Sequence, residues 1–164
     1  MRSLQIISLF LVCLINIGWK GSENYQAQEE MKKAYTAWQA GNLSEALGYY
    51  EESLKLHPKN AVALNNIGVV YEEFGLPQKA SEKYRAAIKV DRDYLPAYSN
   101  LGYLYWNQGD LKSATYYFEM RIKWGSPKDP WTIKAKSALK KIIATQEVDQ
   151  LVEMKKEMDQ QASQ

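Results

Sequence analysis

Few of the 164 side chains could do covalent or acid–base chemistry. The one histidine, His57, directly precedes Pro58, where a polar turn residue is ordinary. It has no second imidazole with which to form a metal pair or an acid–base couple. The single cysteine, Cys13, lies inside an N-terminal apolar stretch. If that stretch is removed, no thiol remains for a disulfide, a nucleophile or a thiolate metal site. Two carboxylate pairs are left, Glu51-Glu52 and Glu72-Glu73. Neighbours in a helix point in different directions, so both pairs read as solvated faces. The chain has no glycine-rich phosphate loop. Its lysines from Lys123 to Lys141 lack the aromatic interleaving or reading element that nucleic-acid binding needs. These residues predict a protein that is not an enzyme, with no cofactor, no metal and no nucleic-acid partner. The chain is rich instead in contact surface, with 12 tyrosines and 5 tryptophans. Such residues make binding hot spots rather than reactions.

The elements that position these residues emerge from self-comparison at a fixed offset. Ala46, Ala80 and Ala114 recur every 34 residues, as do Gly41, Gly75 and Gly109, and Tyr50, Tyr84 and Phe118. Leu54/Ile88/Ile122 and Leu56/Val90/Trp124 keep the same spacing. In the later two units Leu64/Tyr98, Ile67/Leu101, Gly68/Gly102 and Tyr71/Tyr105 join them. Each unit reads as helix, turn, helix. Apolar residues at three- and four-residue spacing mark first helices at 61–74 and 95–108, and second helices at 77–90 and 111–124. Gly75 and Gly109 suit left-handed C-terminal caps, and Pro58 stops the first unit. Small residues stand where helices must approach closely (Gly68 and Gly102, Ala46, Ala80 and Ala114), with large aromatics opposite. Asp129-Pro130 begins a further helix, whose apolar stripe is Trp131, Ala135, Ala138, Leu139 and Ile142.

This pattern resembles the tetratricopeptide repeat. The second unit carries its signature with Leu64, Ile67, Gly68, Tyr71, Ala80, Tyr84 and Ala87, and the third with Tyr98, Leu101, Gly102, Tyr105, Ala114 and Phe118. The third departs at Arg121, where a small residue is usual; the first matches mainly through Ala46, Tyr50 and Pro58. The resemblance implies an all-α, right-handed α-solenoid of three helical hairpins with a solvating C-terminal helix. The boundaries it suggests are repeats at 27–60, 61–94 and 95–128, a capping helix at 129–145 and a charged tail at 146–164. Glu30 and Lys33, polar where the later repeats are apolar, suit the unpartnered side of an end repeat.

In the family the first helix of each hairpin lines an inner binding face. Carried over place by place, that face holds Tyr35 and Trp38, then Asn65, Asn66 and Val69, then Asn100, Tyr103 and Trp106, with Glu72 and Glu73 at its edge. The implied ligand is a peptide or helix of a partner protein, held by aromatic burial and by amide bonds from the asparagines. Tyr35 and Tyr103 fit either this role or packing between helices, whereas Trp38 and Trp106 are expected at the surface. The carboxylate-gripping set of heat-shock co-chaperones is missing: Met31, Tyr35, Asn66, Pro96 and Asn100 occupy its places, and only Asn66 fits.

Arg2 followed by the apolar run Leu4–Ile15 has the form of a secretory signal and is shorter than the ~18–20 residues of a spanning helix. No good peptidase site follows, so residues 1–26 read as a signal peptide or as a retained membrane anchor. Either implies an exported, extracytoplasmic protein. The tail from Glu147 to Met158 reads as a loosely docked helical extension ending in disorder. Its alternative is a self-associating helix, which would make the protein a homo-oligomeric structural subunit.

Overall fold

The computed structural model describes residues 22–162, and the expected signal or anchor run, with Cys13, lies outside them. Among the described residues seven helices follow one another: α1 (22–39), α2 (Leu43–Leu56), α3 (Ala61–Glu73), α4 (Pro77–Val90), α5 (Leu95–Asn107), α6 (Leu111–Trp124) and α7 (Pro130–Ala162). This is an all-α helical-repeat fold. Among the described residues no helix is long and apolar enough to cross a membrane.

The turns are built by the same device three times. Gly75 adopts φ +70° after α3; its amide bonds the Glu72 carbonyl, and the Leu76 amide reaches back to Tyr71. This paired arrangement ends a helix and satisfies its last carbonyls, and only glycine adopts that φ without steric cost. Gly41 and Gly109 repeat the φ and the two bonds. Helix starts are fixed by side chains. Asn60 accepts from the Ala63 amide at 3.0 Å, Asp110 from Ser113 at 3.0 Å and Asp129 from Thr132 at 2.8 Å.

The chain divides into two compact units between Asp91 and Arg92. In the first, Ala34, Ala37, Ala46, Tyr50, Ile67 and Val70 form a core cluster. The buried Ser53 hydroxyl donates to the Ala27 carbonyl at 2.9 Å and ties α2 to α1. Between α3 and α4, Gly68 lies under the Tyr84 ring so closely that a Cβ would stand 2.5 Å from its Cε1 atom. The second unit repeats this with Gly102 and Phe118, where the distance would be 2.6 Å. Its core cluster adds Ala135, Ala138 and Ile142 of α7.

One expectation about α7 changes. Trp131 is 52% exposed, beneath the Lys134 ammonium, and Thr132 is buried in its stead. The cause is Arg121, which is itself buried in the place usually held by a small residue. Its guanidinium donates to the Thr132 hydroxyl at 2.8 Å, to the Ser99 hydroxyl at 3.1 Å and to the Asp129 carboxylate. A buried guanidinium must be paired, so the helix turns its hydroxyl residue inward and its indole outward. Beyond 145 the helix runs on unbroken to Ala162. Burial ends sooner: Ile142 is its last buried residue, and 143–161 are exposed.

Candidate functional site

The residues singled out on the first helices fall on both units, and each unit is described in turn. In the first unit, α1 and α3 frame a cavity of about 240 Å³ lined by Tyr35, Trp38, Tyr50, Asn66 and Val69. Tyr35 and Trp38 are three apart on α1, and Asn66 and Val69 three apart on α3, so each pair shares a helix face. The two α1 rings lie 5.6 Å apart. Tyr35 is 49% exposed, and its hydroxyl accepts from the Gln39 amide at 3.1 Å. Trp38 is half-buried rather than at the surface, because its indole N–H donates to Glu73 Oε1 at 2.7 Å and its ring packs on the core cluster.

Tyr50, from α2, is the cavity residue that sequence reasoning missed. It is 1% exposed, and its repeat position reads as core. Burial pushes its hydroxyl pKa up, and a hydrogen bond with Asn66 partly offsets this. That bond could have been sought from the repeat: Asn66 is the one amide on α3 with a tyrosine in the same cavity. Asn65, expected on the binding face, is only 4% exposed. Its amide donates to Asn66 Oδ1 at 3.4 Å, which makes it a support for the cavity amide rather than a contact surface.

The expectation of solvated glutamate faces fails at Glu72. This carboxylate is half-buried and accepts from the Tyr84 hydroxyl. Burial raises its pKa, against the lowering effect of that hydrogen bond. Burial first, then the neighbouring Glu72, raises the Tyr84 hydroxyl far above the ordinary tyrosine range. Glu51 and Glu52 are exposed as expected.

In the second unit, Asn100, Tyr103 and Trp106 lie on α5, all half-buried. Tyr103 and Trp106 stack at 6.1 Å and both meet the Phe118 ring edge-on, at 5.0 and 6.2 Å. Here too the indole expected at the surface is held by packing. Burial raises the Tyr103 hydroxyl pKa.

The remaining candidates stay apart. The His57 side chain is exposed beyond the end of α2, and the lysines from 123 to 141 are exposed. Among the described residues no group of histidine, cysteine or carboxylate side chains is placed to hold a metal. The first-helix faces therefore offer apolar rings, an amide and a rim carboxylate. That set can bury a side chain and bond a peptide main chain.

A family model described as Tetratricopeptide repeat matches residues 31–94 and 74–127, more than half of the chain. Among similar proteins, the Photosystem I assembly protein Ycf3 of Synechococcus sp. (strain CC9605) is 26% identical over 141 residues, covering 80% of this chain and 76% of Ycf3. The probable UDP-N-acetylglucosamine–peptide N-acetylglucosaminyltransferase SPINDLY of Petunia hybrida is 42% identical over 48 residues, 29% of this chain. The match spans only 5% of that transferase. Among solved structures, the first TPR of Spaghetti (RPAP3) bound to the HSP90 peptide SRMEEVD superposes with a TM-score of 0.67 at 22% identity, over 74% of this chain and 94% of that one.

Proposed function

Because the chain belongs to the tetratricopeptide repeat family, we propose that it is a non-catalytic adaptor or scaffold whose first-helix faces hold a segment of another protein. The observation that carries this reading is the α1–α3 cavity, walled by Tyr35, Trp38, Tyr50 and Val69, with Asn66 as its polar group. An engineered cavity of ~150 Å³ accommodates a benzene ring, so about 240 Å³ is room for one apolar or aromatic side chain. Asn66 supplies an amide to orient the main chain that carries it. Relatives lend support: Ycf3 is named an assembly protein, and the RPAP3 domain was solved with a peptide.

The reading extends to location. Arg2 and the run Leu4–Ile15 support export, with the protein secreted or tethered by its N-terminus. It would then serve as an assembly factor of a cell-envelope complex. Fractionation of cells with antibody detection tests this part: soluble recovery with the cytoplasm contradicts it.

Affinity capture from native membrane and soluble extracts tests the adaptor itself. The full chain is compared with a Tyr35→Ala, Val69→Ser variant of unchanged helicity. The adaptor reading expects one or a few proteins held by the wild type and lost by the variant. Equal recovery by both baits removes the cavity as the site.

A second reading, self-association, is favoured by the exposed apolar residues beyond Ile142, with Leu151 at 65% and Met158 at 66%. Light scattering across concentration separates the two: an adaptor keeps a constant mass, whereas a structural subunit grows.

A further inference from the structure

The second repeat differs from its neighbours at two adjacent places, one turn beyond the cavity residue Val69. Trp38, Glu72 and Trp106 are equivalent at 34-residue spacing, and each lies twelve residues before the second-helix ring Tyr50, Tyr84 or Phe118. Two repeats put an indole there; the second puts a carboxylate. The next position carries Gln39, Glu73 and Asn107, so again only the second repeat is acidic.

Glu72 and Glu73 stand three and four residues beyond Val69, one helical turn along the α3 face that lines the cavity. The Glu73 position is fixed by its bond from the Trp38 indole, itself a cavity wall. Glu72 is held half-buried by Tyr84. Neither is in any ion pair among the described residues. Lys32 and Lys33 belong to a separate depression with Glu29, Glu45 and Tyr49, and Lys33 is paired there with Glu30. Among the described residues the cavity lining thus holds no cation, and just beyond it stand Glu73, bonded to one of its walls, and Glu72, its neighbour turned toward Tyr84.

We propose that the α1–α3 cavity selects a partner segment in which an apolar or aromatic side chain is flanked by lysine or arginine. This rests on the adaptor reading above and names the chemistry of its partner. The apolar side chain fills the space between Tyr35, Trp38 and Val69, Asn66 bonds the main chain, and the flanking cation lies against Glu72 and Glu73. Like charge is rejected at this rim, so acidic segments are excluded by the same two residues that attract basic ones. The tail of a second copy is disfavoured on this ground: residues 146–162 carry Glu147, Asp149, Glu153, Glu157 and Asp159 against Lys155 and Lys156, a net of −3.

The test uses the full-length protein and a random decapeptide library displayed on phage, followed by calorimetry with the enriched peptides synthesised free. The expected enrichment is one apolar residue with Lys or Arg within two positions. A Glu72→Gln, Glu73→Gln variant keeps both acceptors and removes the charge. It should weaken the basic peptide about three- to tenfold and leave unchanged a peptide whose cation is replaced by norleucine. Tyr35→Ala should weaken both peptides. If apolar peptides enrich without a cation, or the double variant binds the basic peptide equally, charge selection is overturned and the adaptor cavity stands. If acidic peptides resembling residues 146–162 enrich, the occupant is a second copy and the proposal fails. If nothing enriches, or Tyr35→Ala changes no affinity, the cavity reading itself falls.

Discussion

Tyr84 and Glu72 share one hydrogen bond and are shifted upward together, Tyr84 by burial and by the carboxylate beside it, Glu72 by burial against the opposing effect of the bond. A carboxyl whose folded pKa exceeds the ordinary 4.5 takes up its proton more readily in the folded chain. Its contribution to stability is then largest in acid and is lost as pH rises through the raised value. Glu72→Gln keeps an acceptor for Tyr84 and is expected to be more stable than the wild type at neutral pH, with the gap narrowing toward pH 4. Urea titrations at the two pH values measure this; a Glu72→Gln chain less stable at pH 7 contradicts it. Gly68 offers a second residue-scale prediction. Gly68→Ala drives a Cβ into the buried Tyr84 ring, and overpacking of this kind costs about 1–3 kcal/mol. Gly102→Ala against Phe118 should cost about the same. Neither glycine has positive φ, so the loss would come from contact and not from backbone conformation.

Among the elements, α7 owes its start to one buried cation. Arg121 joins α6 to Ser99 on α5 and to Asp129 and Thr132 at the head of α7. Arg121→Ala restores the small residue usual at this place, yet it is expected to destabilise the second unit by about 2–3 kcal/mol. Buried hydrogen bonds to a charged group carry that weight. Denaturant unfolding followed by circular dichroism reads it. Asp129 has the opposite pH sense to Glu72. The Thr132 amide first, then the Thr132 hydroxyl and Arg121, hold its carboxyl below the usual aspartate range. That contribution is present above the ordinary aspartate pKa and lost as pH falls through the lowered one. Further along, hydrogen exchange should be slow in 131–142 and fast in 143–161, because only the first stretch of α7 has buried residues.

Helix bounds were largely legible from spacing. The expected 77–90 and 111–124 are α4 and α6 to the residue, and 61–74 differs from α3 by one. Glycine at fixed offset and a shape-filling ring opposite it are properties of the chain itself. What was not legible came from single side chains that redirect others. The turn of Trp131 outward depends on where the Arg121 guanidinium reaches, and the burial of Asn65 on Asn66 beside it. The half-burial of Glu72 depends on Tyr84 twelve residues on. Periodicity assigns a face to a residue but not the partner that will hold it there.

At the scale of the whole molecule, the proposed binding face has few reactive groups, and the C-terminal helix is exposed beyond Ile142. The chain's formal charge of +2 supplies little long-range steering, so recognition at the proposed α1–α3 site would rest on local contacts. Aromatic burial there is insensitive to salt, and an exposed flanking charge adds a small salt-sensitive increment. The central claim, a partner segment held at that cavity, is tested most directly by site-specific photo-crosslinking in cells. A benzophenone-bearing phenylalanine analogue replaces Tyr35 in one strain and the exposed Tyr116 of α6 in another. A discrete cross-linked product with another protein from position 35, and none from 116, is the predicted result. Cross-links from 116 alone, or none from 35 beyond background, would contradict the account.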